Sequence, residues 1–150
     1  MATDFFTVPT FTFKVLFVFV VLAHRRREVL HFNVTEHPTA EWIAQQLVEA
    51  VADRDAPRYL VRDRDRVYGR AVNEKLASLK IEQIMTAPAS PWQNGVVERL
   101  IGSIRRECLD HVIVFNRYHL KRILRSYFSY YASSRTHLSL AKNCPIPREV

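Results

Sequence analysis

SPWQNGVVERLIGSIRRE, residues 90–107, decides how the rest of the chain is read. Ser90 and Gln93 form a Ser-x-x-Gln capping box, and Pro91 takes the first helical position, so a helix is expected to start at Ser90. Val97, Ile101, Ile104 and Cys108 recur at helical spacing and mark its core side. Glu98 then falls on the second turn, near enough to the N-terminus for the helix dipole to favour its charge. Gly102 and Arg105 follow on the same side, one and two turns along. Gly102 leaves room for a close backbone or phosphate approach, and Arg105 is spaced to reach phosphates. A lone glutamate on an amphipathic helix is ordinarily a solvated surface residue. Glu98 gains interest from Asp63, a carboxylate upstream at the end of a short strand pattern, Tyr59–Asp63.

Working outward, Asp4–Val8 is a short strand candidate and Thr12–Ala23 a long one, apolar on both faces at its centre, as for an interior strand. Val29–Thr35 alternates, with Leu30, Phe32 and Val34 on one side and His31, Asn33 and Thr35 on the other. That pattern predicts an edge strand with one wet face. A helix follows, with Thr39 as N-cap and Ile43, Leu47, Ala50 and Val51 on one side. Val72, Leu76 and Leu79 form the stripe of a second helix, and Ile81–Thr86 is a further strand. A last helix is expected from about Asn116 to Tyr131, and an irregular tail from about 132. Three leading strands followed by strand–helix alternation predict an α/β fold: an antiparallel meander running into parallel crossovers. In such sheets ligands sit beyond the carboxyl ends of the strands, where Asp63 is placed.

Composition narrows the function. The 150 residues fit one domain, with 48% hydrophobic residues for a core and 25% charged. Three glycines exclude a Gly-rich phosphate loop. Cys108 and Cys144 are far apart and lack a CxxC partner, which speaks against zinc and for two reduced thiols in a cytoplasmic protein. The apolar run VLFVFVVLA, residues 15–23, falls well short of the roughly 20 residues a spanning helix needs, so no membrane segment is expected. The net charge is +7, and between Arg99 and Arg125 seven basic residues face two acidic ones. A solvated helix face and a membrane-surface helix are the alternatives, but clustering beside Glu98 favours a phosphate track. Carboxylates bind hard cations such as Mg²⁺, and two such ions bridged by Asp and Glu serve in-line phosphoryl transfer. In a basic chain the phosphate donor is a nucleic acid.

RDRDRVYG (62–69), TAPASPWQNGVVERLIGSIRRECLD (86–110) and YYASSRTHLSL (130–140) together resemble the catalytic core of integrase-type (DDE) insertion-sequence transposases, relatives of retroviral integrases. DFFTVPT (4–10) resembles the segment holding that family's first aspartate. The resemblance covers nearly the whole chain and is most specific around Glu98. It implies a ribonuclease-H-like fold: a mixed five-stranded sheet with helices on both faces. It also implies that Asp4, Asp63 and Glu98 hold two Mg²⁺ or Mn²⁺ ions and catalyse phosphodiester hydrolysis and strand transfer in DNA transposition or integration. Asp63 is chosen over Asp65 because the family's aromatic stands five residues on, at Tyr68, and because 35 positions separate Asp63 from Glu98.

Asp65 stands where the family usually has glycine, and with Arg66 it is expected to disturb the turn. The chain begins three residues before Asp4. A clipped first strand, a loosely held Asp4 and no end-recognition module are therefore expected. The DNA-contact set is Asn94, Arg99, Arg105, Arg106, Lys121 and Arg122, with DNA as partner and a homo-oligomer in the active complex. His137 and Trp92 are candidates for supporting the site. An inactive remnant that binds DNA or an intact transposase is the competing reading, and a nuclease without strand transfer a third.

Overall fold

The computed structural model describes residues 1–24, 27–89 and 94–133. Its elements run β1 (Ala2–Pro9), β2 (Val15–Leu22), β3 (Val29–Thr35), α1 (Ala40–Val51), β4 (Tyr59–Arg62), α2 (Arg70–Ser78), β5 (Glu82–Met85), α3 (Gly95–Glu107) and α4 (Arg117–Ser133), with a 3-10 turn at Leu109–His111. The strands form one sheet in the order β3-β2-β1-β4-β5. β1–β2 and β2–β3 are antiparallel, and β1–β4 and β4–β5 are parallel. This is the mixed five-stranded sheet expected from the pattern, with β3 at an edge.

Two cores explain why β2 is apolar throughout. Leu16, Val18, Val20 and Leu22 point to the side covered by Val97, Leu100, Ile101 and Ile104 of α3 and Leu120, Leu124 and Phe128 of α4. Phe19 and Val21 point the other way, to Ile43, Leu47 and Ala50 of α1 and Val72 and Leu76 of α2. Strand alternation thus divides one apolar run between two layers. Thr39 caps α1 as its sequence predicts, accepting a hydrogen bond from Trp42 N at 3.1 Å. Gly69, which precedes α2, lets the two helices close up: a Cβ there would stand 3.1 Å from Ala40 Cβ.

β3 departs from its simple alternation. The register slips between Val21 and Leu22, which pair with His31 and Val29. The bulge turns Leu30 to the α1–α2 side, while Phe32 and Val34 stay with α3 and α4. The polar side is not wet either. Gln46 of α1, itself buried, lies over it, and its Oε1 meets His31 Nε2 at 2.7 Å and Asn33 Nδ2 at 2.9 Å.

β1 is longer than the Asp4–Val8 strand read from the sequence, running from Ala2 to Pro9. It pairs with β2 along this whole length. Its start is tied to β4 by Met1, whose amino group donates to Tyr59 O at 3.1 Å and whose carbonyl accepts from Val61 N at 2.9 Å. Asp4 sits inside this strand opposite Val20, not at a frayed end. At the other terminus α4 continues to Ser133, into the stretch expected to be irregular; the rest of that tail lies outside the described residues. Among the described residues no helix is long and apolar enough to cross a membrane.

Candidate functional site

The parallel pairing of β1 with β4 is confined to Ala2 and Val61. Asp4 and Asp63 each lie two residues beyond that pair, level with one another where the two chains part. Even-numbered residues of β1 face α3, as buried Ala2, Phe6 and Val8 show, so Asp4 faces that side as well. The start of α3 lies against the same place. Asn94, just before the helix and buried, donates from Nδ2 to Thr3 O at 3.1 Å. The result is a pocket of about 280 Å³ lined by Asp4, Asp63, Arg64, Thr86–Ala89, Asn94 and Glu98. The three carboxylates singled out in the sequence therefore converge, although 94 positions separate the first from the last.

Glu98 stands on the first turn of α3, not the second, because the helix begins at Gly95. Asn94 has a non-helical backbone and makes no capping bond, its amide being engaged with Thr3. The capping box of Ser90 and Gln93, and Pro91 and Trp92 with it, lie outside the described residues, as do His137 and Cys144. The earlier turn brings Glu98 closer to the positive end of the helix dipole.

Asp4 is the electrostatic centre of the pocket. Burial pushes its carboxyl up from 3.8 to about 8. A side-chain hydrogen bond with Glu98 and the charges of Asp63 and Glu98 act in the same direction. The Phe5 N–H, donating to Asp4 Oδ1 at 2.8 Å, opposes them. A proton retained near neutral pH marks a place where negative charge exceeds what the surroundings can carry. An all-oxygen donor set with this excess suits a hard divalent cation. Among the described residues no three His, Cys, Asp or Glu side chains lie close enough together to hold an ion. The donor chemistry of the three carboxylates fits a hard cation.

Asp65 does not line the pocket. Its N–H donates to Asp63 Oδ1 at 3.2 Å, and its own Oδ1 accepts from Val67 N at 3.0 Å. The residue expected to disturb the turn therefore helps to close it, as aspartates do in such turns. The basic residues divide between two helices. Arg99, Arg105 and Arg106 are on the exposed side of α3, and Lys121 and Arg122 are on α4, which packs on β3. Arg105 leans back on β1, with Nη2 3.4 Å from Thr7 O and its guanidinium 5.6 Å from the Phe6 ring centre. Beside Gly102 lies the end of the Arg106 side chain, whose Nη1 would stand 3.0 Å from a Cβ there. The pocket wall Thr86–Ala89 and Arg64, whose Nε donates to Thr86 O at 2.9 Å, gave no sequence signal beyond their place after strands.

Residues 79–145 match the family model described as the integrase core domain, a span that includes Glu98 but neither Asp4 nor Asp63. No curated protein matches the sequence. Among solved structures, the chain is similar to a chain of the simian T-cell lymphotropic virus intasome in complex with PP2A regulatory subunit B56 gamma, at TM-score 0.75 and 16% identity. That match covers 99% of this chain and 57% of the other, so the present chain spans little more than half its length. It is also similar to the HTLV-2 integrase catalytic core domain in complex with magnesium, in its dimeric form, at TM-score 0.70 and 12% identity, covering 96% and 90%. At such identities the likeness is one of fold. The fold is that of these integrase catalytic cores, ribonuclease-H-like in architecture, and residues 79–145 carry the integrase-core sequence pattern. The part that carries this family's sequence is the one built around α3 and α4.

Proposed function

We propose that the chain catalyses DNA integration or transposition, by phosphodiester hydrolysis followed by strand transfer. The observation that carries this reading is the convergence of Asp4, Asp63 and Glu98 on one pocket at the ends of β1 and β4 and the start of α3. Two Mg²⁺ or Mn²⁺ ions held by these carboxylates would supply charge stabilisation for in-line displacement at phosphorus. One of the two solved relatives is described as complexed with magnesium, which agrees with this donor set.

The chain's own residues do the rest. Asp4, Asp63 and Glu98 would hold the ions, and Asp4 would release its proton to do so. Arg64 stands on the wall where a phosphate group would lie. Arg99, Arg105 and Arg106 offer cations to the backbone on the Glu98 side of α3, with Lys121 and Arg122 extending the basic surface on α4. In hydrolysis a water oxygen bonds to phosphorus and a 3′-oxygen leaves. In transfer that 3′-hydroxyl attacks a target phosphodiester and the target's 3′-oxygen leaves. Neither step needs a protein nucleophile. The partner is DNA, and a homo-oligomer is the active form, in keeping with the intasome and the dimeric core among the similar structures.

Calorimetric titration with Mn²⁺ tests the reading. The wild-type chain is expected to take up the ion. Asp63→Asn and Glu98→Gln should each weaken uptake by more than the roughly 10–100-fold that loss of an outer-shell partner costs. Asp65→Gly should leave it intact. Equal uptake by all four proteins would sink the shared site and return the inactive-remnant reading.

A further inference from the structure

Arg62, the last residue of β4, is 4% exposed, yet among the described residues no carboxylate forms an ion pair with it. A buried cation without a counter-charge is costly unless acceptors surround it. Here they do. Nε donates to Gln83 Oε1 of β5 at 2.8 Å, Nη1 to the backbone oxygen of Asp63 at 2.9 Å, and Nη2 to Asn73 Oδ1 of α2 at 3.4 Å. Gln83 Nε2 also reaches Asn73 Oδ1, at 3.1 Å, which ties the two acceptors together. The guanidinium lies over the Tyr68 ring at 4.8 Å from its centre, and that ring packs edge-on to Phe5, the neighbour of Asp4. Arg62 shares its side of the strand with Leu60, which packs with α1 and α2, so it lies beneath the sheet from the pocket.

We propose that Arg62 is a positioning residue for Asp63. Its fork grips the carbonyl of the residue whose carboxylate lines the pocket, at the point where β4 ends. The other two arms anchor that grip to β5 and α2. The setting of Asp63 against Asp4 and Glu98 is thereby fixed from the far side of the sheet. The planar guanidinium presents its donors in a fixed fork that reaches all three spread acceptors, whereas a lysine ammonium is a single point on a flexible stem. This inference rests on the reading of Asp63 as a metal ligand.

The test uses Arg62→Lys, which keeps the charge and loses the fork, with Asn73→Ala as a milder variant that removes one anchor. Two quantities are read on each folded protein: Mn²⁺ affinity by calorimetry, and amide hydrogen exchange at residues 64–67 relative to β2. Arg62→Lys is expected to bind Mn²⁺ about tenfold more weakly, as for an outer-shell partner, and to exchange faster at 64–67 while β2 stays protected. A folded Arg62→Lys protein with wild-type affinity and wild-type exchange would overturn the inference and leave Arg62 a packing residue. Should Arg62→Lys fail to fold, Asn73→Ala decides: unchanged exchange at 64–67 overturns the clamp, and faster local exchange supports it. If the wild type takes up no Mn²⁺, the metal-site reading fails and the positioning role falls with it, while the exchange measurement still shows whether the clamp exists.

Discussion

At the scale of single residues, the proton on Asp4 links folding to pH. In the folded chain this carboxyl titrates at about 8, against 3.8 for an ordinary aspartate. Below pH 3.8 both states hold the proton and the group contributes nothing. Between 3.8 and about 8 the unfolded chain releases it and the folded chain keeps it, so stability falls as pH rises; above 8 the loss is complete. The melting temperature of the metal-free protein is expected to decline from pH 5 to pH 8 more steeply than that of Asp4→Asn. Parallel profiles for the two proteins would show that Asp4 is not the group responsible. Cation uptake must expel the same proton, so Mn²⁺ affinity should rise with pH over this window.

At the scale of elements, the clamp between Asn94 and Thr3 holds α3 against β1. Removing it by Asn94→Ala leaves the Thr3 carbonyl buried without its donor. That should lower stability by about 1–3 kcal/mol in denaturant unfolding. A change within a few tenths would mean that other contacts dock the helix. The elements themselves were largely legible, because β2 is a continuous apolar run and α1 and α3 carry strongly periodic apolar patterns. What escaped depended on partners distant in sequence. Leu30 reads as a partner of Phe32 until the bulge turns it over. His31 and Asn33 read as wet until Gln46 lies across them. The helix start at Ser90 is good capping chemistry, yet α3 begins at Gly95 after an asparagine turned toward another strand. Asp63 and Glu98 could be selected by motif. Arg62, within RDRDR, looks like one more solvated charge, and its parity with Leu60 was the only sign that it turns inward.

At the scale of the whole molecule, the chain builds its carboxylate pocket from segments far apart in sequence. β1, β2 and β3 pair with their neighbours in sequence, a local meander. Closing the pocket instead joins Asn94 to Thr3 across 91 positions and Arg105 to Thr7 across 98. Such long closures carry a large entropy loss before any contact rewards them, and they slow folding. The docking of α3 is thus expected to come late, with the carboxylates meeting on the native side of the rate-limiting barrier. A divalent ion that binds only the closed pocket then has nothing to hold in the transition state. Stopped-flow kinetics with and without Mg²⁺ should show a slower unfolding arm and superimposable refolding arms. A faster refolding arm would mean that the carboxylates meet early. On this account the ion acts as a latch and not as a nucleus: it lengthens the life of the folded chain without hastening its birth.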